Sequence, residues 1–172
     1  MVTKGLYALA ILAAAGFAVS LLVHVAAWAG VAPPQAAWAL HVGILVVWLP
    51  TVLVSQGLTR NFKQRDFWTA ALRGAPPWTP VALKWLMGYA VVNFLLFIFQ
   101  TILGARSNDP ALQARGFSGH WMIFYGAAAA TLFSAGQLRE RGDQPRVCVN
   151  GHAVSLSAQY CEQCGSPVNR SL

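Results

Sequence analysis

Residues 6–28 read LYALAILAAAGFAVSLLVHVAAW, a run with no Asp, Glu, Lys or Arg. A helix crosses the hydrocarbon core of a bilayer in about 20 residues, so this stretch is long enough to span. The competing reading is a secretory signal peptide. Lys4 would be its basic start and Ala27-Trp28-Ala29 its cleavage site. The apolar core, however, runs over residues 6–23, longer than the roughly 7–15 residues of a signal core. The stretch is read as a retained helix.

Three more segments have the same character, at residues 36–54, 81–103 and 119–138. The composition agrees. Of 172 residues, 56% are hydrophobic and 10% charged, against about 25% charged in soluble domains, and the mean hydropathy is +0.51. The net charge of +7 could suggest nucleic acid, but the basic residues lie beside the apolar segments, where membrane topology puts them. No nucleic-acid partner is expected. The bilayer is the first partner, and a bundle of four transmembrane helices the expected fold.

Orientation follows from the lysines and arginines of the connections. Lys4, Arg60, Lys63, Arg65, Arg73, Lys84, Arg139, Arg141, Arg146 and Arg170 fall on one side, and Arg106 and Arg115 on the other, ten against two. Both termini are therefore expected in the cytoplasm, across a bacterial-type inner (plasma) membrane. All three cysteines lie in the C-terminal tail, where a reducing compartment keeps thiols free for metal.

Along the chain, Val31-Ala32-Pro33-Pro34-Gln35 reads as a tight outer turn joining the first two spans. Pro50 should kink or end the second. In the next connection Leu58, Phe62, Trp68 and Leu72 fall roughly on one face beside Arg60 and Lys63. That is an interfacial helix or an irregular basic loop. Asn108-Asp109-Pro110 reads as a turn, with Asp109 capping a short helix that begins at Pro110. Residues 139–146 are polar and turn-rich, and divide a membrane domain (1–138) from a tail (147–172).

The tail carries Cys148-x3-His152-x8-Cys161-x2-Cys164. Zinc takes about four thiolate or imidazole ligands in a tetrahedron, and this pattern supplies three thiolates and one imidazole. Gly165 permits a bend that turns backbone N–H groups towards sulfur, and Gly151 eases the first turn. A redox Cys161–Cys164 pair would want a thioredoxin-like βαβ context, which the sequence lacks. A disulfide cannot use three cysteines and leaves His152 unexplained. A nucleic-acid-binding ribbon would want more basic residues, and a catalytic zinc would want an open position. So short a tail cannot bury enough apolar surface to fold alone; the metal should fold it.

CVNGH at 148–152 followed by YCEQCGSP at 160–167 resembles the short zinc-ribbon tails of many bacterial proteins. The likeness covers only about the last 25 residues, and the helical region carries no such likeness. His152 stands where the commonest pattern has a fourth cysteine. The resemblance implies a structural zinc and often a protein-interaction role, and no particular reaction.

A second pattern lies within the spans. The first carries Gly16, Ser20 and His24; the second His41; the third Tyr89, Asn93, Gln100 and Gly104; the fourth His120, Ala127, Thr131 and Ser134. These stripes should face one another inside the bundle. His24 and His41 are equally far from the Ala32–Pro33 turn, about 6–8 Å inside the membrane, and His120 is near the same surface. Two readings follow. His24, His41 and His120 form one site for haem b or a second metal ion, with Arg106 or Arg115 above it; or they are neutral histidines that hydrogen-bond between helices. Trp28, Trp38 and Trp121 read as an interfacial aromatic belt, and Gly16-x3-Ser20 as packing.

The function expected on these grounds is that of a non-enzymatic membrane protein whose cytoplasmic zinc ribbon mediates protein interaction or assembly, with an oligomer compatible. The alternative is a membrane redox or metal-handling protein using the outer histidines. A transporter ranks last, because no acidic residue lies within a span.

Overall fold

The computed structural model describes residues 2–59, 62, 64–104, 109–142, 146–154 and 158–168. Helix α1 is Val2–Trp28, and a 3-10 turn at Gln35–Trp38 leads into α2, Ala39–Thr59. A second 3-10 turn, Gln64–Asp66, precedes the short α3, Phe67–Leu72; then come α4, Thr79–Ile102, and α5, Pro110–Glu140. In the tail β1 (Arg146–Val147) pairs antiparallel with β2 (Ala153–Val154), Arg146 opposite Val154. Apart from this pairing and a Tyr160–Pro167 bridge, the regular structure of the described residues is helical.

Three helical stretches are long and apolar enough to cross a membrane: Val2–Trp28, Gln35–Thr59 and Thr79–Ile102. The fourth expected span lies within α5, which is not among them although it is 31 residues long. Its position in the bundle explains why. Seventeen residues of α5 are buried, against seven of α1 and three of α4. α1, α2 and α4 all pack on α5, so α5 is the axis and the three apolar helices are its jacket. An axial helix is selected for close approach, not for contact with hydrocarbon, and small residues serve that end. A side chain at Gly116 would put its Cβ 2.5 Å from the Phe97 ring, and one at Gly119 would put it 2.9 Å from Asn93 Nδ2.

The jacket's outward face is apolar. Ile11, Leu22, Leu53, Trp85, Leu95 and Ile102 are all exposed. A continuous apolar surface of this kind suits lipid and not water.

One contact fixes the α1–α2–α5 junction. The Tyr125 ring fills the space left by two glycines: a Cβ on Gly16 would lie 2.5 Å from its Cδ1, and one on Gly43 2.5 Å from its hydroxyl. That hydroxyl donates to the Leu40 carbonyl at 2.9 Å. Ser20, fully buried, donates to the Gly16 carbonyl at 2.7 Å, so the Gly16–Ser20 pair packs as its spacing suggests.

The chain ends of the bundle meet at one side. Tyr7 OH donates to Glu140 Oε2 at 2.9 Å and accepts from Gln137 Nε2 at 3.0 Å. The Gly74 N–H donates to Ser134 Oγ at 2.9 Å, tying the α3–α4 connection to the same end of α5. Lys4, Arg73, Arg139 and Arg141 therefore share one end.

Several local expectations change. Pro50 does not end α2, which continues to Thr59. Thr51, Ser55 and Thr59 all turn their hydroxyls onto carbonyls of the same helix around and beyond the proline. Leu58 belongs to α2 and Trp68 to α3, so the four apolar residues read as one interfacial face do not form one; Ala70, Ala71 and Leu72 of α3 are buried. Arg60 and Lys63 lie outside the described residues, as do Arg106, Asn108 and Arg170 and the 143–145 part of the polar linker. Asp109 Oδ1 does accept from the Ala111 N–H at 2.9 Å, with Pro110 in the first turn. The helix it caps is the whole of α5, not a short one.

Candidate metal centre and the polar network of the bundle

The tail is built from two similar turns. In the first, the Gly151 N–H donates to the Cys148 carbonyl at 2.9 Å, and the Cys148 N–H to the His152 carbonyl at 2.9 Å. In the second, the Gly165 N–H donates to the Cys161 carbonyl at 2.8 Å, and the Cys161 N–H to the Ser166 carbonyl at 2.8 Å. Gly151 and Gly165 hold φ of +77° and +68°, a left-handed conformation that side-chain-bearing residues rarely adopt. The β1–β2 pairing flanks the first turn, and a bridge between Tyr160 and Pro167 closes the second.

The turns bring Cys148, His152, Cys161 and Cys164 together, with all four ligand atoms within 4.8 Å of one another. Cys148 Sγ and Cys164 Sγ are 3.6 Å apart, and Cys161 Sγ and His152 Nδ1 3.7 Å. A tetrahedron with the usual zinc bond lengths has sulfur–sulfur edges of about 3.8 Å and sulfur–nitrogen edges of about 3.6 Å. The cysteines are free thiols. The cluster therefore fits a four-coordinate metal ion such as zinc, with no position left over for a substrate.

The electrostatics divide the cysteines. Burial pushes the Cys161 thiol up, partly opposed by N–H groups of Gln163 and Cys164 on its sulfur. Cys164 is pushed down to about 5, first by hydrogen bonding with Ser166, then by Asn150 and His152. Cys164 Sγ and Ser166 Oγ are 3.3 Å apart, and Asn150 Nδ2 donates to Ser166 Oγ at 3.3 Å. Each ligand thiol gives up its proton as a metal enters, and the surroundings of Cys164 favour that loss. The ligand spacing did not announce Asn150 and Ser166. They support the site because the two turns face each other.

The three membrane histidines do not form one site. Trp28 Nε1 donates to His24 Nε2 at 3.0 Å, and Tyr89 OH bonds to the same nitrogen. Indole is only a donor, so Nε2 accepts and the ring proton sits on Nδ1. From there it is donated to Ser118 Oγ at 2.7 Å. Both nitrogens of His24 are engaged. His41 Nδ1 accepts from Trp121 Nε1 at 3.0 Å, and the His41 ring meets that of His120 edge-on, centroids 5.6 Å apart. Ser118 and His120 are two residues apart on α5, about 200° around the helix. His24, bound to Ser118, is therefore on the opposite side of α5 from the His41–His120 pair. Phe94, Phe117 and Phe124 surround His120. Among the described residues, the tail holds the one group of three or more His, Cys, Asp or Glu side chains placed to share a metal ion. His24 thus stands apart from His41 and His120: depth along the bundle matches, but angle around α5 does not.

Arg115 belongs to α5 and not to a loop. Its guanidinium stacks over the Trp28 ring, 4.4 Å from the centroid, and donates to Gln100 Oε1. Asn93 Nδ2 donates to the Arg115 carbonyl at 2.7 Å. The polar stripe of α4 therefore does face inward, and it is spent on α1 and α5. Trp121, expected in an aromatic belt, is fully buried and packs edge-on to Trp38 at 5.4 Å; Trp28 stays half-exposed.

No protein-family model matches the chain. No curated protein and no solved structure matches it either.

Proposed function

We propose that this chain is a four-helix integral membrane protein that acts by binding: its tail, folded around one zinc ion, presents a docking surface to a protein partner in the cytoplasm. One observation carries the reading. The two turns bury the ligands Cys148 and Cys161 while leaving the large apolar residues beside them, Val149 and Tyr160, 76% and 64% exposed. A domain too small to have a core of its own would bury such residues if it could. Displayed on a metal-fixed frame, they are suited to be the anchors of an interface.

In this reading residues 1–138 are the membrane domain, 139–146 the linker and 147–172 the ribbon. α5 is the fourth span, shielded from lipid by its jacket. The ten-to-two division of basic residues supports cytoplasmic termini, and the free cysteines suit the same compartment. The ribbon resemblance supports a bacterial-type inner membrane. No reaction is assigned: the four ligands leave zinc no open position.

The test is a photo-crosslinking residue placed at Val149 or Tyr160 in cells. A discrete adduct with one protein, lost when Cys161 and Cys164 become serine, is the expected result. Absence of any adduct from a tail that retains its zinc would leave the ribbon a purely internal device.

A further inference from the structure

α1 and α4 pack on α5 from different sides without closing on each other along their whole length. At one end they are joined by the His24–Tyr89 bond. Towards the other end they part, leaving a cleft of about 780 Å³. Its floor is small, with Gly126, Ala129 and Ala130 of α5. Along α1 it runs from Tyr7 to Phe17. Ten residues at 1.5 Å each make about 15 Å, half the hydrocarbon thickness of a bilayer of about 30 Å. The cleft is the length of one leaflet.

Its chemistry changes along that length. The deep part is apolar. The mouth, at the end where the chain termini meet, carries Thr79, which is 94% buried by its 6% exposure. The Thr79 hydroxyl has no hydrogen-bond partner. Thr79 lines the cleft, but its hydroxyl is covered by the surrounding chain. The rim is basic. Arg141 donates to Gln137 at 3.3 Å, and Gln137 to Tyr7, which itself lines the cleft. Lys4 stands one turn before Tyr7 on α1. The acids described at this end are Glu140, bonded to Tyr7, and Asp66, beside Arg65.

We propose that the cleft is a binding site for one anionic phospholipid. An acyl chain lies between α1 and α4 on the floor of α5. The phosphate meets Lys4 and Arg141. The site rests on the reading of the bundle as membrane-embedded, and is independent of the ribbon's partner. The His24–Tyr89 bond joins α1 to α4 beyond the cleft, seven residues or about 10 Å past Phe17.

The test uses the full chain, purified in detergent and stripped of lipid. Dioleoyl phosphatidylglycerol and dioleoyl phosphatidylcholine are titrated in turn, and bound lipid is counted by native mass spectrometry. One phosphatidylglycerol per chain is expected, preferred by roughly thirtyfold, the product of two basic side chains at an anionic headgroup. Phosphatidylglycerol brominated on its acyl chain should quench Trp78, which lines the mouth, and the quenched fraction should vanish in Trp78→Phe. Ala130→Leu, which fills the floor, should abolish retention of both lipids. Lys4→Gln with Arg141→Gln, both at exposed positions, should remove the preference while leaving the melting temperature unchanged. Equal retention of the two lipids by the parent, or a preference that survives the double glutamine change, overturns the proposal. A protein recovered from the soluble fraction of cells would instead overturn the membrane reading beneath it.

Discussion

Replacing Gly16 by alanine tests the junction on which the bundle is assembled. The new Cβ would lie 2.5 Å from both Cδ1 and Cε1 of Tyr125 and 2.9 Å from Cζ. Carbon atoms rest at about 3.5–4.0 Å, so the ring must retreat by about 1 Å. It has nowhere to go. Its hydroxyl is held at 2.9 Å by the Leu40 carbonyl, and α2 is so close that even a Cβ on Gly43 would touch that oxygen. Overpacking of this kind costs about 1–3 kcal/mol. In a Tyr125→Ala background the obstacle is gone. There Gly16→Ala should be neutral or stabilising by about 0.5–1 kcal/mol, the ordinary preference of a helix for alanine. Tyr125→Ala alone should cost about 3–5 kcal/mol for the cavity. The two changes should therefore couple by about 1–4 kcal/mol. Unfolding in mixed micelles by titration with dodecyl sulfate, followed by circular dichroism, measures all four corners of the cycle. A Gly16→Ala cost that is the same with and without the Tyr125 ring would refute the account.

Metal analysis should find about one zinc per chain, lost in Cys161→Ser with Cys164→Ser, and a strong chelator should unfold the tail while the helical signal of the bundle persists. Cysteine labelling in intact cells should reach residues at the Pro33–Pro34 turn from outside and leave the tail unlabelled until the membrane is permeabilised; labelling of the tail from outside would reverse the topology. His24→Ala should lower stability by about 0.6–1.7 kcal/mol for each hydrogen bond broken and leave the visible spectrum blank, and a Soret band that disappears in this variant would restore the haem reading. Gly74→Ala should destabilise the bundle by about 1–3 kcal/mol, because its Cβ would collide with the Ser134 carbonyl; an unchanged unfolding midpoint would show that the α3–α4 connection is not docked on α5.

The three apolar helices and the metal ligands were legible in the sequence because each is a local signal. A lipid-facing helix declares itself by hydropathy over one window, and the ligand spacing fixes two turns that need little else. α5 was legible only in part. Its start at Asp109 and Pro110 could be read, but its continuity past Gly116 and Gly119 could not, since those glycines make sense only against Phe97 and Asn93 of another helix. The separation of His24 from His41 and His120 was hidden for a related reason. Position along a span gives depth directly, whereas the angle a residue presents depends on which helix is central. Once α5 is the axis, Ser118 and His120 serve opposite neighbours. Trp121 misled in the same way: a tryptophan near a membrane boundary looks interfacial until the helix bearing it is enclosed.

The enclosure of α5 also bears on how the protein is made. The helix with the weakest claim to hydrocarbon is the last of the four to leave the ribosome. When it emerges, α1, α2 and α4 are already available, and the Gly16–Gly43 recess awaits the Tyr125 ring. With α5 as the fourth span proposed above, its entry into the bilayer is a docking event, not a partition of a free segment into lipid. The cysteines follow it directly in the chain. A tail that has gathered its metal thus marks a molecule whose axis has been synthesised, and α5 variants that dock poorly should accumulate as three-helix intermediates exposed to membrane proteolysis.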